Sequence, residues 1–266
     1  MKQVSVIVAI VSFLLISCAK VPFTGRKQAK LLPESTMNSM SFTQYEEFLK
    51  ENPPVNNTNQ ANMVKSVGRK IQQAAEKYYR AEGISKKLEG FAWEFNLVDD
   101  PTVNAWCMPG GKVVVYSGIM PIAKDEDGLA VVMGHEIAHA LAHHGNERMS
   151  QQLAVQAGGT AVDVMVRDKP EQTRSIFQQV YGVGATVGAI LPFSRKHESE
   201  ADEIGLYLMA IAGYDVNAAS PFWDRMASGG GQTPPEFLST HPSPSTRSEN
   251  LKKWAPKAIE MAKKYR

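Results

Sequence analysis

The chain has 266 residues, 43% of them apolar, 21% charged and 8% aromatic, a composition that excludes a disordered, collagen-like or disulfide-stapled protein. Twenty-nine Lys and Arg against 27 Asp and Glu leave a net charge of +2, too weak a field for a protein whose affinity rests on neutralising phosphates, so nucleic acid is not an expected partner. The scarce residues carry the information: six His, all between positions 135 and 241, and two Cys.

In chain order, residues 1–17 read as an export signal. Lys2 supplies a positive start, and Val4 to Ile16 is a nearly unbroken apolar run of 13 residues, short of the ~20 that a bilayer-crossing helix needs. The run ends in Leu15-Ile16-Ser17-Cys18, which resembles a bacterial lipobox, so Cys18 is the expected lipidation site. The address expected from this start is the periplasm, with the chain anchored to a membrane through its N-terminal lipid. Ala19 in place of Asp favours the outer membrane. Residues 18–35, with Pro22, Gly25 and Pro33, are expected to be a lipidated polar tether, and residues 36–266 a single domain. Cys107 then has no disulfide partner and is read as a buried structural thiol.

Thr36 to Lys50 and Asn59 to Glu82 have helical composition and are separated by Asn52-Pro-Pro-Val-Asn-Asn57. Phe91 to Val98 alternates as a strand. Asn104 to Tyr116 reads as a second strand, a turn at Pro109-Gly110-Gly111 and a β-branched third strand over Lys112 to Tyr116. After Gly118 the pattern turns helical over Glu126–Gly145, Asn146–Val166, Glu171–Leu191, Glu198–Ile211 and Asn217–Ala227. Gly182 to Phe193 is expected as packed interior helix, and Gly229-Gly230-Gly231 opens a loop that runs to His241-Pro242. The fold class is therefore α+β, mostly helical, with a small β-sheet.

His135-Glu136-x-x-His139 places two imidazoles at i and i+4 on one helix face with Glu136 beside them, the geometry of a zinc peptidase. Every other position from Val132 to Leu141 is uncharged, as suits a helix flooring a buried cleft. Catalytic zinc takes three protein ligands and keeps one position open. His143 lies too far along the helix to join His135, and His144 faces away. Ala142 and Gly145 stand where an extended His-Glu-x-x-His-x-x-Gly-x-x-His pattern would have its Gly and third His. The third ligand must come from elsewhere. Glu198 and Asp202, at i and i+4, allow one carboxylate to bind metal while the other meets a ligand imidazole. Glu200 points to the opposite face, and spacing favours Glu198 over it without excluding it.

These motifs, with Ser194-Arg195-x-x-Glu198-x-x-Ala201-Asp202, the upstream Asn104-Ala105-x-x-x-Pro109-Gly110-Gly111, Ser117-Gly118 and the late His241-Pro242, resemble the zinc metallopeptidase family of the CaaX prenyl protease, HtpX and BepA, within the gluzincin clan. The resemblance covers roughly residues 60 to 255. It implies a gluzincin-type metallopeptidase domain with the sheet beside the zinc helix and one zinc per chain, bound by His135, His139 and Glu198. It makes Glu136 the catalytic base and Asp202 the supporting acid.

The implied reaction is peptide-bond hydrolysis in unfolded or misassembled envelope proteins, in contact with outer-membrane assembly machinery. The alternative is a non-proteolytic chaperone or assembly factor that retains the metal site. His241 has two open roles, stabilising the transition-state oxyanion or binding the metal to close a resting site, as the corresponding His can in BepA-type relatives. Asn104, Ala105 and Trp106 are the expected substrate-binding residues, an edge strand to which an extended segment adds by backbone pairing.

Overall fold

The computed structural model describes residues 18–185, 191–228, 237–238, 241 and 246–265. The expected signal at 1–17, the glycines at 229–231 and the prolines flanking Ser243 lie outside these residues.

Residues 18–35 are not a tether. β1 (Cys18–Lys20) and β2 (Lys27–Ala29) form an antiparallel hairpin, with Cys18 opposite Ala29. The segment between them is anchored from both its apolar and its charged residues. Val21 is 1% exposed, and Phe23 stacks on Tyr78 with ring centroids 3.7 Å apart. The Phe23 N–H donates to the Tyr78 hydroxyl at 3.0 Å, and Arg26 reaches buried Glu147 and Glu200. A polar composition reads as solvated in sequence, but here Arg26 meets buried partners.

α1 (Glu34–Glu51) follows, and its Tyr45 packs with Val98 and Val114 under the sheet. α2 (Asn59–Ala81) starts at Thr58, whose hydroxyl accepts from the Ala61 N–H. Its buried Val64, Val67, Ile71, Ala74, Ala75 and Tyr78 recur at three- and four-residue intervals, the stripe that a helix against a core requires. Truncating Ile71 to Ala at this fully buried position costs roughly 2–5 kcal/mol.

The sheet holds β3 (Pro54–Val55), β4 (Glu94–Val98), β5 (Ala105–Met108) and β6 (Lys112–Tyr116) in the order β3-β4-β6-β5. β4 and β6 are parallel and the outer pairs antiparallel, so β5 is an edge. The β5–β6 turn needs glycine, because Gly110 and Gly111 sit at φ 81° and 85°, in the left-handed region.

α3 (Met120–Ala123) leads to α4 (Glu126–Leu141), which Asp125 caps by accepting the Gly128 N–H at 2.9 Å. α4 is apolar nearly all round and almost wholly buried, as a helix in the middle of a domain must be. It packs along α7 (Leu191–Ala212) through Gly134 and Gly205. A Cβ on Gly205 would lie 3.1 Å from the His135 backbone nitrogen, closer than an ordinary contact, so any larger residue there would push these two helices apart by a few tenths of an ångström.

α5 (His144–Val166) and α6 (Glu171–Ala185) pack on each other and leave Met165 and Val180 exposed. Gly182 and Gly184 are exposed too, which corrects the interior-helix expectation for the described part of 182–193. α8 (Ala219–Ser228) matches the sequence expectation. α9 (Arg247–Ala262) has no counterpart among the elements read from the sequence, and it carries Pro256 inside it. Its buried Leu251, Ala255, Ala258 and Ala262 hold it to α7 and α8 regardless. The fold is α+β and mostly helical, and one core runs from Val21 to Tyr265. No helix of the described residues is long and apolar enough to cross a membrane.

Candidate metal centre

α4 and α7 bring three of the predicted residues to one point. His135 Nε2 lies 3.1 Å from His139 Nε2 and 3.2 Å from Glu198 Oε2, and Glu198 Oε1 lies 3.5 Å from His139 Nε2. His241 joins them, its Nδ1 3.1 Å from Glu198 Oε2 and 3.4 Å from His135 Nε2. One donor atom from each of the four falls within 4.8 Å of the others. Tetrahedral zinc with bonds of about 2.0–2.1 Å separates its ligand atoms by about 3.3 Å, so this spacing fits such an ion. Glu198 is 0% exposed and its Oε1 has no hydrogen-bond partner among the described residues, an arrangement that a cation would satisfy.

The protonation states divide: burial would lower His135, but Asp202 and Glu198 outweigh it and raise the ring to about 9, so a metal there would displace a proton. Burial drives His139 down to about 3, leaving the neutral imidazole that a metal needs. Burial alone would raise Glu198, but His139, His135 and His241 outweigh it and hold it far below the usual carboxylate range.

Asp202 accepts from His135 Nδ1 at 2.9 Å, so the neutral His135 ring would turn a bare Nε2 toward the cluster. Arg247 clamps the same carboxylate at 2.8 and 2.7 Å. The guanidinium carbon of Arg247 lies 3.3 Å from the ring centre of Trp223. Burial pushes the Asp202 carboxyl up, but Arg247 and His135 keep it below its ordinary value. Nothing in the spacing around Arg247 could have marked it.

Glu136 lies beside the cluster and is 2% exposed, with an Oε1 that has no hydrogen-bond partner among the described residues and sits 3.7 Å from His241 Nε2. Burial raises its carboxyl pKa, which suits a group that takes up a proton. A cleft of about 200 Å³ runs past Glu136, His139, Trp106, Cys107 and His241.

One expectation for the neighbours changes. α4 ends at Leu141, and His143 turns the chain through a left-handed φ of 54°. His144 therefore does not face away; its Nδ1 returns to 2.9 Å from His139 Nδ1. Glu200, read as pointing to the opposite face, is 6% exposed and bound to His144 and Arg26.

The substrate residues divide. Asn104 and Ala105 are buried, and Trp106 is half-buried, its ring edge-on to Phe48 and Tyr45. The Trp106 side chain thus belongs largely to the packing between α1 and the sheet, and what the edge strand offers the cleft is mainly backbone. Cys107 is half-buried at the cleft, its thiol pushed well up by burial, which makes it unreactive.

The chain is 41% identical over 173 residues to the mitochondrial metalloendopeptidase OMA1 of Schizosaccharomyces pombe, covering 64% of this chain and 49% of that protein. It is 36% identical over 213 residues to the Saccharomyces cerevisiae protein of the same name, covering 74% and 56%. The beta-barrel assembly-enhancing protease of Escherichia coli is 27% identical over 161 residues, 58% of this chain and 33% of that one. The chain spans about half the length of the two yeast relatives. Their names overturn the periplasmic, lipid-anchored outer-membrane address expected from residues 1–18, because these two relatives, matched over 64% and 74% of this chain, are named as mitochondrial proteins. A short apolar run followed by Cys carries too little information to fix a compartment against that likeness. The sequence matches the pattern of Peptidase family M48 over residues 65–255, and with the His135, His139 and Glu198 cluster inside that span, the chain belongs to this family.

Proposed function

We propose that the protein is a zinc-dependent endopeptidase that hydrolyses peptide bonds in unfolded or loosely folded polypeptide. The observation that carries this reading is the convergence of His135, His139 and Glu198 with buried, partner-poor Glu136 beside them. These three residues would hold the zinc, whose charge, when it is bound, acidifies a water and polarises a carbonyl.

The chain's own groups do the rest. Glu136, raised by burial, takes the proton of the attacking water and returns it to the leaving amine, so the bond to the amine breaks without releasing an anion. Asp202 holds His135 in its productive tautomer, and Arg247 holds Asp202. The edge strand β5 borders the cleft. An extended segment laid along it would be read through its backbone, which favours chains without a stable fold. His241, placed among the ligand atoms, supports the closed resting form over an oxyanion role.

Digestion of unfolded casein by the full chain and by Glu136→Gln, with zinc content measured on both, tests this. The expected result is one zinc in each protein and a loss of about 10²–10⁴ in rate for the variant. Equal rates, or a wild-type protein that holds no zinc, would overturn it.

A further inference from the structure

A second buried polar chain runs away from the metal cluster on the side opposite Asp202. His139 Nδ1 faces His144 Nδ1 at 2.9 Å, and His144 Nε2 meets Glu200 Oε2 at 3.0 Å. That oxygen also accepts from Arg26 Nε at 2.7 Å, and the other Glu200 oxygen accepts from the Thr24 hydroxyl. The two terminal nitrogens of Arg26 grip Glu147 at 2.9 and 2.7 Å. Glu147 also meets His197 Nε2 at 2.9 Å, and the His197 ring lies flat on His144 with centroids 4.3 Å apart. His144 and His197 are 1% exposed, Glu147 3% and Glu200 6%.

Two Nδ1 atoms at hydrogen-bond distance share one proton, and Glu200 decides who carries it. If His144 held the proton at Nδ1, its bare Nε2 would face the Glu200 carboxylate, acceptor against acceptor, in a buried site where that clash is costly. With the proton on His144 Nε2, that nitrogen donates to Glu200 and leaves Nδ1 as an acceptor. His139 must then carry its own proton on Nδ1, and its Nε2 is bare toward Glu198 and His135. The same logic operates on His135 through Asp202 and Arg247, with one imidazole fewer.

We propose that His144, set by Glu200 and Arg26, is a positioning residue that fixes His139 in its metal-binding tautomer, making the hairpin of residues 18–29 a working part of the peptidase. The proposal rests on His139 being a zinc ligand. It also explains why residues before the M48 match are folded against α5 and α7: Arg26 reaches Glu147 on one and Glu200 on the other.

The test is zinc affinity, measured on the full chain by competition with a chromophoric chelator, together with the melting temperature of the zinc-free protein. His144→Phe keeps the ring and removes both nitrogens. It is expected to weaken zinc binding by about 10–100-fold, the effect of losing a ligand's outer partner. Glu200→Ala should do the same from the far end of the chain with His144 intact, and serves if His144→Phe does not fold. Glu147→Gln touches Arg26 and His197 but neither His139 nor His144; it should lower the melting temperature and leave zinc affinity unchanged. Wild-type affinity in His144→Phe or Glu200→Ala, or an equal loss in Glu147→Gln, overturns the relay. His139→Ala separates the two readings: if it binds zinc like wild type, the metal site itself is wrong, and if it loses zinc while His144→Phe does not, only the relay is.

Discussion

Arg247 grips both carboxylate oxygens of Asp202, at 2.7 and 2.8 Å, in a pocket where the two side chains are 5% and 2% exposed. The pair ties α9 to α7 directly behind His135, so a helix late in the chain helps orient an imidazole of the donor cluster. Removing the guanidinium would leave a buried carboxylate whose remaining partner is His135.

Arg247→Met keeps aliphatic cover over Trp223 and takes away the charge. Breaking one side of a buried ion pair costs about 3–5 kcal/mol, which for a domain of this size is a fall of about 6–20 °C in melting temperature. Zinc affinity should fall with it, since His135 loses its orienting partner. Calorimetry on the zinc-free variant checks the first part, and a melting temperature within about 2 °C of wild type would reject it.

The residues of the donor cluster on α4 and α7 were legible because helical spacing is a local property: i and i+4 place His135 with His139, and Glu198 with Asp202, whatever surrounds them. β4, β5, β6 and the glycine turn at 109–111 were legible for the same reason, whereas β1, β2 and β3 were not. What supports the ligands was not. Arg26, Arg247 and His144 reach the site through tertiary contacts spanning 174 residues for Arg26 to Glu200 and 45 for Arg247 to Asp202, and no periodicity encodes those. His144 was misread because a continuous helix was assumed where the left-handed His143 breaks it. The hairpin at 18–29 was misread because Arg26 looks solvated until its buried partners are known.

Glu198→Ala and Glu200→Ala separate a ligand from its distant support. Glu198 lies within the donor cluster and Glu200 one imidazole removed from it. Loss of a ligand should abolish tight binding, whereas loss of an outer partner weakens it by about 10–100-fold. Equal zinc loss in the two variants, measured by chelator competition, would reject Glu198 as the metal-binding carboxylate.

Glu147 gives the fold an acid sensitivity of known sign. Burial opposes its charge, but His197 and Arg26 hold its carboxyl at about 2, below the ordinary 4.5. A depressed carboxyl stabilises the folded state above the unfolded value and loses that contribution as pH falls from about 4.5 toward 2. Zinc-free wild type should therefore melt above Glu147→Gln at pH 7, with the gap closing on acidification toward pH 3. A gap that stays constant or widens would contradict the assignment.

His241 decides whether the site rests open or closed. Its Nδ1 lies 3.1 Å from Glu198 Oε2, and its ring stacks on Phe237 at 4.4 Å and 16°. Phe237 is itself fixed by its N–H on the Val103 carbonyl at 3.3 Å, just before the edge strand. An oxyanion donor should stand off the ligand atoms, on the far side of a bound carbonyl; His241 instead sits among them, where a fourth metal ligand belongs. Substituting a ligand that closes the site frees the position a water or carbonyl must take, so His241→Ala is expected to hydrolyse unfolded casein faster than wild type while binding zinc somewhat less tightly. A fall in turnover of about 10² with unchanged zinc content would instead identify the oxyanion role, because only that role adds to the transition state without touching the resting metal.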